Sequence, residues 1–98
     1  MLARITRIEV VAPYSLAVKF SDGSGGVHDF APLLRQSGPA FAALRDQDLF
    51  ARVILDEEWG AAVWPGDIDM DAEWLRREME AAGELRRDDG PARLITRA

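Results

Sequence analysis

The chain has 98 residues, 48% of them hydrophobic and 30% charged, with a formal net charge of −5. That length and balance describe one folded domain with a modest core, and argue against disorder over most of its length. With no cysteine and a single histidine, the chain excludes disulfides, thiolate catalysis, Cys-ligated zinc and any two-His metal site of its own.

The opening MLARITRIEVV lacks the apolar run of a signal peptide, and no stretch approaches the roughly 20 apolar residues of a membrane span. The expected location is cytoplasmic. Ile5–Val11 and Leu16–Phe20 read as strands, separated by Ala12-Pro13-Tyr14-Ser15. In the second, Leu16, Val18 and Phe20 fall on one face and Ala17 and Lys19 on the other, the period-2 pattern of a half-buried strand. Ser21-Asp22-Gly23-Ser24 follows, and Asp-Gly between strand-like runs predicts a two-residue type I′ hairpin, pairing Leu16–Phe20 with Gly26–Phe30. The glycines of Gly23–Gly26 do not make a phosphate cradle, because they lead into a strand with no Lys after them. His28 and Asp29 are strand neighbours on opposite faces, so they cannot pair in a nucleophilic triad, and His28 reads as structural.

Ala31-Pro32-Leu33-Leu34 begins a short helix or turn, and Ser37-Gly38-Pro39 interrupts it. Two short helical pieces follow, Ala40–Leu44 and Gln47–Ala51, the second with Asp46 as N-cap. Val53–Leu55 and Ala61–Trp64 form a hairpin around Asp56–Gly60, which puts Trp59 at its tip. The final amphipathic helix runs from about Ala72 to at least Ala82, with Trp74, Leu75, Met79, Ala82 and Leu85 on one face and Gly83 either ending it or only weakening it. Its arginines, Arg76, Arg77, Arg86 and Arg87, are interleaved with Glu73, Glu78, Glu80 and Glu84 as a salt-bridged surface, not a basic patch. The expected fold is α+β: a small antiparallel sheet built from hairpins, short helices and one longer C-terminal helix. It forms a single domain over 1–98, with a core of about 3–82 and residues 88–98 as a mobile tail or a short added strand.

The densest polar chemistry is Val63–Trp74, where Asp67, Asp69 and Asp71 alternate after a Trp-Pro-Gly turn. They match the first, third and fifth positions of a calcium loop, with Glu78 at the twelfth, but Ala72 stands where the loop needs Gly and no helix precedes it. A catalytic carboxylate pair would need a substrate cleft that nothing else in the chain supplies. A strand-to-helix junction accounts for more residues: Trp64 packs inward, Asp71 caps the helix, and Asp67, Asp69 and Glu73 sit near its positive end.

Taken together, ITRIEVVAPYSLAV, VKFSDGSGGVHDFAPLL and GPAFAALRDQDLFARVILDEEWGAAVWPGDIDMDAEWL resemble the bacterial family known as domain of unknown function 2442. That family reads as a strand ending in F-x-D-G, here Phe20-Ser21-Asp22-Gly23, and one ending in D-L-x-P-L-L, here Asp29–Leu34. It continues with a G-P-F segment and closes on W-P-x-G-x-D-L-x-P. Trp64-Pro65-Gly66-Asp67-Ile68-Asp69 departs from the last by one residue, and Ala72 replaces the usual Pro. The likeness spans about Ile5 to Leu75. It implies a small α+β module with no assigned catalytic residue. Some members carry a helix-turn-helix extension, which is not expected here. Members often lie beside a gene for another small protein, which implies a two-gene, toxin–antitoxin-like pair.

The functional expectation is a non-enzymatic protein-interaction module whose partner is another protein chain, either a second copy (a homodimer) or the product of a neighbouring gene. Trp59, Trp64, Asp67 and Asp69 are its candidate partner or ligand contacts. No catalytic residue, cofactor or metal ligand is assigned, and neither nucleic acid nor membrane is expected as a partner. The alternative is a small enzyme or a ligand- or metal-binding protein using the Trp64–Asp71 acids.

Overall fold

The computed structural model describes residues 3–36 and 38–87, with Ala40 described by its backbone alone. The expected tail, 88–98, lies outside them. Strands β1 (Ile5–Ala12), β2 (Ser15–Phe20) and β3 (Ser24–Asp29) form an antiparallel meander. Helix α1 (Ala31–Gln36), a 3₁₀ segment (Pro39–Arg45) and the single turn of α2 (Gln47–Phe50) follow. Strands β4 (Ile54–Asp56), β5 (Ala61–Trp64) and β6 (Ile68–Met70) make a second meander, then come helix α3 (Ala72–Ala81) and the short strand β7 (Arg86–Arg87). The fold is α+β, but it holds two sheets, ordered β1-β2-β3-β7 and β4-β5-β6, where one was expected.

Leu16, Val18 and Phe20 are all buried, as their alternation requires. The following turn differs from the type I′ expectation. Three residues, Ser21 to Gly23, link β2 to β3, and Gly23 N–H bonds to the Phe20 carbonyl at 3.1 Å. Gly23 takes φ +91° while Asp22 does not enter positive φ, the pattern of a type I turn closed by a left-handed glycine. Asp22 is therefore free to work as an acceptor: its Oδ1 takes the Ser24 N–H at 2.9 Å and the Ser24 hydroxyl at 2.6 Å.

Helix α3 ends sooner than its apolar stripe suggested. Gly83 N–H bonds to the Glu80 carbonyl and Glu84 N–H to the Met79 carbonyl, around Gly83 at φ +73°. This pair of bonds satisfies the last helical carbonyls and turns the chain off the helix axis. Arg86 and Arg87 consequently leave the helix and pair with Gly25 and Ser24 of β3. The expected salt-bridged face shrinks to Arg76 with Glu80, and Arg77 with Glu73 at 3.9 Å. Close approach at this join explains the Gly25-Gly26 pair, because a Cβ on Gly26 would lie 2.2 Å from the Glu84 carbonyl oxygen.

One continuous core joins the parts. Phe50 is its hub, with ring centroids 5.7 Å from Phe30, the residue after β3 of the first sheet, and 5.8 Å from Trp64 on the second. Leu75 and Met79 are the fully buried face of α3, while Trp74 and Leu85 are half-buried and Ala82 is exposed. Among the described residues no helix is long and apolar enough to cross a membrane.

Candidate protein-contact surfaces

The three alternating aspartates occupy three different local environments. Asp67 closes the Pro65-Gly66-Asp67 turn between β5 and β6 at φ +62°, a conformation that Asp tolerates better than most side chains. Asp69 lies opposite Val63 on the exposed side of β6. Asp71 caps α3, its Oδ2 accepting the Trp74 N–H at 2.9 Å, as the junction reading expects. Strand β6 itself was not expected. Its signal was the alternation, since Asp67, Asp69 and Asp71 are exposed while Met70 is buried and Ile68 half-buried between them. No group of three or more His, Asp or Glu side chains that could hold a metal is found among the described residues. Glu73 has a partner of its own, accepting the Ala3 N–H at 3.0 Å.

Trp64 is 3% exposed, and its Nε1 donates to the Phe50 carbonyl at 2.9 Å. As a candidate partner or ligand contact it is therefore corrected: its ring is core and offers no surface to bind. His28 is likewise structural. Its Nδ1 lies 2.7 Å from Glu84 Oε1, and its ring meets the edge of Phe30 at 4.7 Å, tying the exit of α3 to β3.

Trp59 differs from all of these, being 71% exposed on the β4–β5 turn. Asp56 Oδ1 accepts the N–H groups of Glu58 and Trp59, and its carbonyl accepts the Gly60 N–H at 2.7 Å. Arg4 Nη2 donates to the carbonyls of Glu57 and Glu58 at 2.6 and 2.9 Å, and Ile5 N–H donates to the Gly60 carbonyl. The first sheet thus clamps the turn of the second.

Among the described residues, the face of the four-stranded sheet turned away from α3 is also open. An open depression of about 670 Å³ lies on it, lined by Ala17, Gly25 and Val27 with Arg7, Glu9, Lys19, Arg86 and Arg87 around them. Sequence order hid this clustering, since the expectation was that no basic patch forms. Its residues come from four strands, β1, β2, β3 and β7, brought together by strand pairing.

These features define a class: a two-sheet α+β domain whose polar junctions are structural and whose open surfaces, among the described residues, include a pinned tryptophan turn and one sheet face. The chain belongs to the family described as Protein of unknown function (DUF2442), whose model matches residues 5–81. Searches of curated proteins and of solved structures returned no match.

Proposed function

We infer that this protein is a non-enzymatic interaction module that presents Trp59 to another protein chain. One observation carries the reading: a large aromatic ring, 71% exposed, stands on a turn whose backbone is held by bonds from Asp56, Arg4 and Ile5. Tryptophan is enriched among the residues that dominate binding energy, and a turn already ordered loses little entropy when it is bound. Asp69, also exposed, lies across from Val63 in the same three-stranded sheet and extends the surface with an acceptor. The two-gene arrangement implied by the family makes the neighbouring gene's product the first partner to try, and self-association the second.

The test is calorimetric titration of the purified chain with that product, alongside sedimentation of the chain alone across a concentration series. Trp59→Ala should weaken the association by about 30-fold, the scale of a hot-spot residue. Association with either partner that is indifferent to Trp59, or none with both, rejects the reading.

A further inference from the structure

We propose that the open edge of β1 pairs with the same edge of a second copy of this chain, with Trp59 closing each end of the contact. The pairing rests on the reading of Trp59 as a partner contact, and a second copy is the partner it selects. Among the described residues β1 is an edge strand, the end of the order β1-β2-β3-β7. The Tyr14 carbonyl accepts the Phe30 N–H, so Leu16 and Val18 turn their backbone groups to β3 while Ala17 and Lys19 turn theirs to β1. Glu9 and Arg7 stand opposite those two and spend their own N–H and C=O groups there. Ile8 and Val10 consequently aim theirs away from the sheet.

Charge selects the occupant. Arg7 and Glu9 are exposed and lie two residues apart, on the same side of the strand. Among the described residues neither has an ion pair or a side-chain hydrogen bond. A lone charge on an edge strand opposes the addition of another strand. An acid and a base two apart do the reverse, because an antiparallel copy turned about the residue between them sets each against its opposite. Pairing centred on Ile8 places Arg7 against Glu9 of the second copy and Glu9 against Arg7 of the second copy, with Ile8 meeting Ile8 through paired backbone bonds. Such a contact is self-complementary and closes as a dimer. The neighbouring two-fold registers fail. Centred on Glu9, that acid meets itself; centred on Val10, the ladder runs into the irregularity between Val10 and Ala12.

The ends of this ladder give the exposed ring its place. In the Ile8 register Val11 of the second copy comes toward Ile5, whose N–H is already bonded to the Gly60 carbonyl. Strand pairing therefore stops at the Trp59 turn, and apolar contact takes over. Val10 is 37% exposed, Val11 48% and Trp59 71%, and the two-fold axis brings each Trp59 to the valines of the other copy. Glu57 and Glu58, the exposed acids of that turn, meet the uncharged stretch Val10–Pro13 of the second copy, so no like charges are brought together there. A ladder of about five residues per strand buries less than a permanent dimer needs, so the association is weak and concentration-dependent.

The experiment is sedimentation velocity of the full chain from micromolar to millimolar concentration, and a reversible monomer–dimer equilibrium is the expected result. Arg7→Glu and Glu9→Arg should each weaken the dimer about ten-fold or more, because two opposite-charge pairs become like-charge pairs. The double variant, Arg7→Glu with Glu9→Arg, restores both pairs and should return to within about three-fold of wild type. If a single reversal unfolds the chain by circular dichroism, Arg7→Gln with Glu9→Gln takes its place, with a smaller loss expected. Trp59→Ala should also weaken the dimer. A monomer at every concentration, a dimer indifferent to the reversals, or a double variant no tighter than the singles overturns the pairing. Trp59-dependent binding of the neighbouring gene's product, with no dimer, overturns the pairing and leaves the reading of Trp59 standing. A dimer that obeys the charge swap but ignores Trp59→Ala rejects that reading and upholds the strand pairing.

Discussion

Trp59 lies in the turn that enters β5 and Trp64 is the last residue of that strand, yet the first is 71% exposed and the second 3%. The contrast separates two kinds of constraint. Within β5 the pleat sends Ala62 and Trp64 to the same side, and that side meets Phe50, so both are buried. In the turn the alternation is broken, and Asp56 and Gly60 dictate where the backbone goes. A tryptophan there is aimed by hydrogen bonds to the main chain and has no core to enter. One ring stabilises the fold, and the other faces solvent.

The largest effect expected from breaking this contrast comes from Trp64→Ala. Emptying the space beside Phe50 and removing the donor to its carbonyl should cost about 3–5 kcal/mol, read as a lowered urea midpoint. A loss under about 1 kcal/mol would mean that the two sheets do not share one core. Next comes Asp71→Ala, expected to cost about 0.5–2 kcal/mol through the lost cap. That loss should be the same with calcium as with a chelator; a chelator that lowers the wild-type melting temperature would show the aspartates acting as ligands.

A subtler effect belongs to Asp22. Hydrogen bonds from Ser24, and then from Arg76, hold its carboxyl at about 2, below the ordinary 3.8. The unfolded chain therefore takes up this proton first as pH falls. The contribution is complete above about pH 4 and is lost progressively toward pH 2. Melting temperature followed over that window should fall less steeply in Asp22→Asn than in wild type. Parallel slopes would assign the acid sensitivity to other groups.

Trp59→Ala should do least to stability, within about 0.5 kcal/mol, because the ring covers little of the protein. Combined with the expected loss of partner affinity, this is the sharpest form of the comparison. A stability loss as large as that of Trp64→Ala would make both rings structural.

The local elements were the legible ones. Asp46 and Asp71 announced their helices because capping requires only a short acceptor side chain and the N–H groups two or three residues on. Leu16, Val18 and Phe20 announced a buried strand face by alternating. Strand β6 is not legible in the sequence because its period-2 signal lasts only three residues and runs straight into a cap, so acids flanking a strand read as a cluster. The apolar stripe that continues through Leu85 predicts Arg86 and Arg87 on the helix, whereas the bonds around Gly83 end it.

Caps, turns and strand faces follow from chemistry within a few residues, and the sequence by itself determined those, along with membership of a family of unknown function. Only the tertiary structure decided that the strands divide into two sheets, that Phe50 bridges them, and that the Trp64 indole bonds to its carbonyl. It also decided that Arg7, Lys19 and Arg86 stand in one row across β1, β2, β3 and β7. Register between strands far apart in sequence is set by which side chains share a core, and a one-residue slip would send each of those cations to the opposite face.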